Sequence, residues 1–382
     1  MNALSRVEAE LSMSDFLALA QPGVQKLSPY VPGKPVDELA RELGIDPTAI
    51  VKLASNENPL GASPKALEAI RAELAELTRY PDGNGFELKR KLAERCAVDA
   101  AQVTLGNGSN DILDLVARAY LAPGLNAVFS EHAFAVYPIA TQAVGAEGRA
   151  VKARAWGHDL EAMLAAIDGQ TRVVFVANPN NPTGTLSPHE RIVRAIERKP
   201  ERSVVLVDEA YIHFSDAPSV VGLAVQRQDV LVLRTFSKLY GMAGARLGLA
   251  IGHPQLLARL ERFGGHNVVP SPTAHAGLES LRDDDLVPRR KQQNAEVRER
   301  TIAWLRQQGF RCTASQSNCF MVDMRRPAEL VIAELEKQRV HVGRPWASWP
   351  NWVRVTVGSE EEMQAFRSAF ASVSRRHQVA MR

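Results

Sequence analysis

Between about residue 51 and residue 252, short runs of consecutive apolar residues alternate with segments that have the period of an amphipathic helix. The clearest runs lie at 173–177, 203–207, 230–233 and 247–251. A strand that is apolar on both sides must be buried on both faces, so such runs are typical of a parallel sheet that is covered by helices. The pattern therefore predicts an α/β fold with a mostly parallel central sheet.

The sequence changes character after about residue 270, where a long helical stretch at 275–307 precedes a shorter α+β pattern. With 382 residues the chain is long enough for two domains. We expect an N-terminal arm with part of the small domain at 1–50, a large domain at 51–270 and a small C-terminal domain at 271–382. Within the arm, 14–27 is predicted to be a short amphipathic helix, and the proline-rich stretch 28–35 is predicted to be irregular.

Composition narrows the class of protein. The chain has 46 Lys and Arg against 43 Asp and Glu, which does not give the dense positive face that nucleic-acid binding requires. Its three cysteines form no CxxC pair and its histidines form no HExxH pattern, so we expect neither a disulfide framework nor a metal site. Because no signal-like N-terminus and no run of about 18 apolar residues is present, we expect a cytoplasmic protein without a membrane segment.

Two helix starts are indicated by capping residues. Ser63 precedes Pro64, a pairing that favours Ser as the N-cap and Pro as the first helical residue. Ser187 is followed three residues later by Glu190, which matches the capping box.

The first loop whose residues could bind a ligand is Gly-Asn-Gly-Ser-Asn at 106–110, between a predicted strand and a predicted helix. Glycines allow a tight turn, and the free N–H groups of the helix that follows favour a phosphate or another anion. Taken alone, the loop is equally compatible with an ordinary strand–helix turn. It lacks the third glycine of the dinucleotide fingerprint and the Gly-Lys of a P-loop.

An acid and a lysine each follow an apolar strand. A carboxylate at the buried position of Asp208 needs a cationic partner, and a protonated pyridine ring is one such partner. The amine of Lys238 loses water at such a place, which lowers its pKa and favours imine formation. The alternatives are that Asp208 caps a turn and that Lys238 is an ordinary loop lysine.

Two residues beside Lys238 and one further loop complete the set. Ser237 and Arg246 flank Lys238 and could bracket a phosphate. The segment 178–184 is a rigid turn with two prolines, in which Asn181 could donate a hydrogen bond to a ring oxygen. The alternative for this segment is a simple turn. In open α/β sheets, ligands bind beyond the carboxyl ends of the strands, where all these loops are predicted to lie.

Three motifs in this order resemble the class I and II aminotransferases of fold type I, which use pyridoxal 5'-phosphate. They are Asn-Pro-Thr-Gly at 181–184, Asp-Glu-Ala-Tyr at 208–211 and Ser-Lys-x-x-Gly-x-x-Gly-x-Arg at 237–246. The resemblance covers nearly the whole chain. It implies a large cofactor-binding α/β domain and a smaller α+β domain.

The resemblance also implies a role for each matching residue. Lys238 is expected to form the Schiff base with the cofactor and to shuttle the proton, while Asp208 pairs with the pyridine nitrogen. Asn181 and Tyr211 are expected to bond the phenolic oxygen. Phe134 stands where the family stacks an aromatic ring on the cofactor, although it has no hydroxyl group to donate. The expected phosphate ligands are Gly108, Ser109, Asn110, Ser237 and Arg246.

Within this family, four segments are similar to those of the histidinol-phosphate aminotransferases, at 29–35, 53–61, 79–83 and 234–238. The similarity implies amino transfer between L-histidinol phosphate and 2-oxoglutarate or glutamate, a step of histidine biosynthesis. It also implies a homodimer with a shared active site, in which Tyr80 reaches the cofactor phosphate held by the partner subunit. The residues expected near the substrate are Tyr30, Asn56, Arg344 and Arg354.

Other reactions stay open, because the Gly-Leu-Ala at 248–250 replaces the usual Gly-Tyr and the segment 342–346 also resembles aminotransferases with other substrates. One alternative is an aminotransferase for an aromatic or basic amino acid. Another is a pyridoxal-phosphate decarboxylase or lyase that acts on a phosphorylated amino acid. A third is a cofactor-binding regulatory or assembly protein without turnover, which the intact Lys238 and Asp208 disfavour.

Overall fold

The computed structural model describes residues 19–30, 33–265, 267–346 and 348–380. Its strands alternate with helices along the first two thirds of the chain, as the apolar runs predict. The strands are β1 (Val51–Leu53), β2 (Val103–Asn107), β3 (Asn126–Ser130), β4 (Glu147–Val151), β5 (Thr171–Ala177), β6 (Val204–Asp208), β7 (Val230–Thr235), β8 (Leu247–Ile251), β9 (Cys319–Asp323), β10 (Val340–Val342) and β11 (Trp352–Thr356).

The helices cover the sheets or join them. They are α1 (Pro22–Gln25), α2 (Val36–Leu43), α3 (Pro64–Glu73), α4 (Phe86–Cys96), α5 (Ser109–Tyr120), α6 (Val136–Ala143), α7 (Leu160–Ala165), α8 (His189–Arg198), α9 (Val221–Ala224), α10 (Pro254–Glu261), α11 (Ser271–Leu281), α12 (Leu286–Gln307), α13 (Ala328–Glu336) and α14 (Glu360–Ala380). Among the described residues, none of these helices is both long and apolar enough to cross a membrane.

The central sheet has seven strands in the order β2-β8-β7-β6-β5-β3-β4. The neighbours from β7 to β4 are parallel, whereas β8 runs antiparallel to both β2 and β7. The predicted α/β fold with a mostly parallel central sheet is therefore confirmed. It places the carboxyl ends of β5, β6 and β7 side by side at one edge.

Alternate residues of the inner strands pack into different cores, which explains their unbroken apolar runs. On β5, Val174 and Val176 belong to one buried cluster, whereas Val173 and Phe175 belong to a cluster on the other face. A strand that is buried on both sides cannot show the alternating polar pattern of a half-exposed strand. Helices on both faces thus account for the sequence signal.

The packing moves two of the predicted domain boundaries. β1 was expected to begin the large domain, but it pairs in parallel with β10, and Leu53 is buried in the C-terminal core. The helical stretch at 275–307 is two helices, α11 and α12, and Ala276 and Leu278 of α11 are buried in the core of the large domain. The buried apolar contacts therefore assign β1 to the core of the small domain and α11 to the core of the large domain, although their positions in the chain predict the reverse.

The smaller core lies between the antiparallel pair β9 and β11, the strands β1 and β10, and the helices α12, α13 and α14. In the N-terminal arm, only 22–25 of the predicted helix at 14–27 is helical within the described range, and 14–18 lie outside it. Residues 28–30 and 33–35 are irregular, as predicted, while 31 and 32 also lie outside it.

One predicted cap is confirmed and one is wrong. The Ser63 hydroxyl accepts a hydrogen bond from the Ala66 N–H at 3.2 Å, with Pro64 as the first residue of α3. The N-cap of α8 is Pro188, which has no side-chain cap, so Ser187 and Glu190 form no capping box. The backbone N–H of Ser187 instead donates to the side chain of Asn178 at 2.7 Å. That bond joins the start of the loop between β5 and α8 to its end.

Gly248 on β8 lies directly under the start of α5. A Cβ at this position would come within 2.4 Å of the Gly108 carbonyl carbon and of the Ser109 nitrogen. We therefore expect Gly248→Ala to lower the free energy of unfolding by about 1–3 kcal/mol through overpacking, measured as a fall in the melting temperature. Gly222 on α9 is the matched control, because nothing lies within 4 Å of a Cβ built there. Equal melting temperatures for the two variants would show that α5 moves aside without cost.

Candidate active site

A cavity of about 290 Å³ opens at the carboxyl edge of β5, β6 and β7, where the sequence analysis places the functional loops. The structure brings together side chains from the loop after β2, the ends of β6 and β7, and the smaller domain. The predicted residues that line it are Tyr30, Asn56, Ser109, Asn110, Phe134, Asn181, Asp208, Tyr211, Ser237, Lys238, Arg246, Arg344 and Arg354.

The start of α5 and the β7–β8 loop form one end of this cavity. Gly108 is the N-cap of α5 at φ 80°, and no side chain caps the helix. A Cβ at Gly108 would lie 2.2 Å from a guanidinium nitrogen of Arg246, so only glycine lets the arginine lie against the turn. Arg246 also donates to the Ser237 hydroxyl at 3.4 Å. Free N–H groups, a hydroxyl and a guanidinium therefore meet in one place, which is the chemistry of a phosphate site.

Asp208 is buried at the end of β6, the strand in the middle of the sheet. Its carboxylate accepts hydrogen bonds from the Tyr137 hydroxyl at 2.7 Å and from the Ala210 N–H at 3.0 Å. Burial nevertheless raises the pKa of Asp208 above its ordinary value, because the charged form has lost water. The site therefore offers a carboxylate that a cation in the cavity would stabilise.

Tyr137 was not among the residues singled out from the sequence. It lies on α6, fully buried, with its ring stacked on Phe175 at 4.7 Å and edge-on to Phe134 at 5.8 Å. Its spacing of three residues from Phe134 places both aromatic residues near the start of one helix. That spacing was the signal available, but only the fold reveals that the hydroxyl points to Asp208.

Lys238 follows β7 and lies at the wall of the cavity. Its amine is 3.3 Å from the Asn56 carbonyl oxygen and 5.5 Å from the centre of the Tyr211 ring. Burial, followed by the nearby charge of Arg354, lowers the pKa of Lys238 from 10.5 to about 8. An amine with such a pKa exists in both protonation states near neutral pH, as a nucleophile or a proton carrier requires.

Asn56 joins the two domains at the cavity. It is buried with φ 54°, a backbone conformation that Asn tolerates better than most residues. Its side chain donates to the Tyr211 hydroxyl at 3.0 Å and accepts from the Thr356 hydroxyl at 3.1 Å. The Asn318 side chain donates to the Asn56 carbonyl oxygen at 3.0 Å. The segment after β1 is thus fixed between Tyr211 of the large domain and β11 of the small one.

Asn181 and Arg354 face each other across the same boundary. One guanidinium nitrogen of Arg354 donates to the Asn181 side-chain oxygen at 3.0 Å, and another donates to the Ala54 carbonyl at 2.6 Å. Because the amide oxygen of Asn181 accepts from the arginine, its amide nitrogen remains as the donor that the sequence analysis expected.

Arg344 lies near the opening of the cavity. Its guanidinium carbon is 4.6 Å from the centre of the Trp346 ring and 5.9 Å from that of Tyr30. Trp346 falls within the segment 342–346, and its sequence predicts no role for it, because one tryptophan in an irregular segment carries no signal of position.

Tyr80 is the one predicted site residue that lies away from the cavity of its own subunit. Its side chain is 89% exposed, and it does not line the pocket. The other expected residues meet around one space.

Comparison with known proteins agrees with this geometry. A family model for aminotransferase class I and II matches residues 48–370. The chain is 62% identical to histidinol-phosphate aminotransferase 2 of Pseudomonas aeruginosa, over 94% of this chain and 99% of that protein. It is 56% identical to histidinol-phosphate aminotransferase 2 of Pseudomonas fluorescens, over 94% and 98%. The crystal structure of histidinol-phosphate aminotransferase from Sinorhizobium meliloti in complex with pyridoxal-5'-phosphate has a TM-score of 0.87 at 26% identity, covering 96% of this chain and 100% of that one.

The lowered pKa of Lys238 predicts how stability depends on pH in the protein without cofactor. The unfolded chain keeps the lysine proton up to about pH 10.5, whereas the folded chain releases it near pH 8. Below pH 8 the buried charge costs the folded state at most about 3 kcal/mol, and stability rises with pH between 8 and 10.5. We expect Lys238→Met to be more stable than the wild type at pH 7, with a difference that disappears by pH 10.5.

The measurement is the free energy of unfolding of both proteins across this pH range. Lys65→Met is the control, because Lys65 is exposed on α3. A constant difference between Lys238→Met and the wild type would mean that Lys238 is not charged unfavourably in the folded protein.

Proposed function

The chain belongs to the class I and II aminotransferases, and we propose that it transfers the amino group of L-histidinol phosphate to 2-oxoglutarate with pyridoxal 5'-phosphate as its cofactor. This reaction is a step of histidine biosynthesis. The observation that carries the proposal is the cavity itself, in which a lysine of lowered pKa and a buried acid face two arginines. A cytoplasmic location remains a prediction.

The residues of the cavity fit the cofactor. The phosphate would lie at the start of α5, where the N–H groups of Ser109 and Asn110, the Ser237 hydroxyl and Arg246 meet, and where any side chain at Gly108 would fill the cradle. Phe134 lines the cavity as a stacking partner, and the hydroxyl of Tyr211 and the amide of Asn181 are available to a ring oxygen. When bound, pyridoxal phosphate supplies a conjugated ring that accepts electrons from the substrate carbon.

Asp208 and Tyr137 set the charge at the other end of the ring. Burial raises the pKa of Asp208, and a protonated ring nitrogen in contact with its carboxylate would favour the charged form. The hydrogen bond from Tyr137 acts in the opposite direction to burial and lowers the pKa of Asp208, which favours the carboxylate form. Together they hold the positive charge that makes the ring an electron acceptor.

Lys238 moves the proton. Its amine would hold the cofactor covalently, and the same amine, when free, would accept the proton that leaves the substrate carbon and then donate it again as an acid. A pKa of about 8 lets one group act as base and then as acid near neutral pH.

The arginines bind the negatively charged end of each substrate. Arg354 lies between Asn181 and the Ala54 carbonyl, and Arg344 lies nearer the opening. Guanidinium groups bind phosphate and carboxylate with similar geometry. One clamp could thus serve the phosphate of histidinol phosphate and a carboxylate of glutamate, and by fixing that end it would orient the C–H bond that breaks.

The test is to add L-histidinol phosphate alone to the purified yellow holoenzyme and to follow its visible absorbance. We expect the yellow colour to fade and 2-oxoglutarate to restore it, because each half-reaction converts the cofactor once. Lys238→Ala should show neither change. Fading with glutamate but not with histidinol phosphate would keep the aminotransferase and reject the substrate, which favours an aromatic or basic amino acid instead. Release of carbon dioxide without a need for an acceptor would indicate a decarboxylase.

We further propose that the active enzyme is a homodimer. Tyr80 is exposed, and so are the apolar side chains Leu74, Leu77 and Phe86 in the same part of the chain. Exposed apolar groups of this kind are covered in a stable assembly. A second copy of the chain would cover them and would bring Tyr80 of the partner subunit to the phosphate end of the cavity.

A shared site predicts complementation between two inactive variants. Lys238→Ala and Tyr80→Ala should each have low activity. Mixed by joint refolding, they should recover about a quarter of wild-type activity, because half of randomly paired dimers are hybrids that contain one intact site. Activity that stays at the sum of the two separate variants would place Tyr80 outside the site of the partner subunit.

A further inference from the structure

Four of the five tryptophans of the chain gather beside the opening of the cavity. Trp346 and Trp349 belong to the segment that joins β10 to β11, Trp352 is the first residue of β11, and all three pack with Trp156 around Met321. Trp349 also stacks on His132 at 3.8 Å between ring centres. Since His132 and Trp156 belong to the large domain, this aromatic cluster holds the segment against both domains.

Within this cluster, Trp346 is the member that lines the cavity. Its ring lies against Arg344 at 4.6 Å and Arg354 at 6.0 Å, measured from each guanidinium carbon to the ring centre. The backbone N–H of Trp349 donates to the Trp346 carbonyl at 2.9 Å, which fixes the turn between them. The indole is therefore held beside both arginines before any substrate arrives.

The indole N–H of Trp346 is buried and has no hydrogen-bond partner among the residues that the structure describes. The same is true of the Nε of Arg354. A buried donor without an acceptor costs roughly 1–3 kcal/mol, so such groups are uncommon unless a ligand or water completes them. Two of them beside one cavity indicate that a ligand with strong acceptor atoms belongs there.

We propose that Trp346 determines specificity by donating its indole N–H to an anionic oxygen of the substrate, beside Arg344 and Arg354. This inference rests on the proposed function, because it names a further contact to the phosphate or carboxylate end of that substrate. The indole edge supplies the hydrogen bond, while its face holds the guanidinium of Arg344 through a cation–π contact. The two contacts use different parts of the ring, so one side chain can make both.

The decisive variant is Trp346→Phe, which keeps an aromatic face for Arg344 and removes the donor. Trp304→Phe is the matched control, because Trp304 lies on α12, packs on Phe370 and is remote from the cavity. Steady-state kinetics of both variants and of the wild type are measured with three probes: histidinol phosphate, histidinol without the phosphate, and 2-oxoglutarate.

We expect Trp346→Phe to raise the KM for histidinol phosphate about tenfold or more, the loss typical of one hydrogen bond to a charged group. The kcat should change little, because a contact made equally in the ground state and the transition state alters KM alone. The kcat/KM for histidinol should match that of the wild type. A KM for 2-oxoglutarate that also rises would show that the donor serves the carboxylate as well as the phosphate, whereas an unchanged value would assign it to the phosphate alone.

Three results overturn the proposal in different ways. If the wild type prefers histidinol phosphate to histidinol and Trp346→Phe behaves like Trp304→Phe, the role of Trp346 fails and the proposed function stands. If Trp346→Phe lowers kcat without raising any KM, the residue does not act through substrate binding, and the proposal fails likewise. If the wild type does not distinguish the two amines, the proposed substrate fails, and the role of Trp346 fails with it.

Discussion

The site depends on a carboxylate that the fold buries at the end of its central strand. β6 lies between β5 and β7, so Asp208 has strands on both sides and little access to water. A charge in such a place is unfavourable unless hydrogen bonds and a counter-charge compensate it. Tyr137 and the Ala210 N–H supply the bonds, and a protonated ring would bring a counter-charge into contact with the carboxylate. Pairing with the buried carboxylate would therefore favour binding of the cofactor and would keep its ring protonated, the form that accepts electrons.

A second constraint is that the cavity closes only where the two domains meet. Asn56 follows a strand of the small sheet, yet it bonds Tyr211 of the large domain and Thr356 of the small one. Arg354 on β11 reaches Asn181 after β5. These bonds cross the boundary at the proposed substrate end of the cavity, whereas within one subunit the proposed phosphate end is built by the large domain. The proposed phosphate site would therefore combine one domain with Tyr80 of the partner subunit, and the proposed substrate site would need both domains of one subunit.

The sequence alone predicted the parts of the site that belong to loops with unusual composition. Gly108, Asp208 and Lys238 lie at or just after the ends of apolar strands, Arg246 lies in the loop between β7 and β8, and the rule that ligands bind at the carboxyl edge was enough to group them. It did not find Tyr137, whose role arises because its ring packs on Phe175 of β5 and its hydroxyl reaches Asp208 at the end of β6. Nor did it place β1 with β10, because a strand of three residues carries no sign of its partner. The predicted capping box at Ser187 is wrong, and the backbone N–H of that serine donates instead to the side chain of Asn178. These two residues are nine positions apart, so the local sequence pattern that predicts a capping box does not reveal the contact.

The charges around Lys238 also link substrate binding to catalysis. Arg354 is the second cause, after burial, of the lowered pKa of Lys238. An anionic group that binds at Arg354 offsets part of that positive charge, so the pKa of Lys238 rises when the substrate is in place. A higher pKa makes the freed amine a stronger base at the moment when a proton must leave the substrate carbon. The arginine proposed to bind the anionic end of the substrate would thus also adjust the proposed base, and a ligand without an anionic end would lose both effects together.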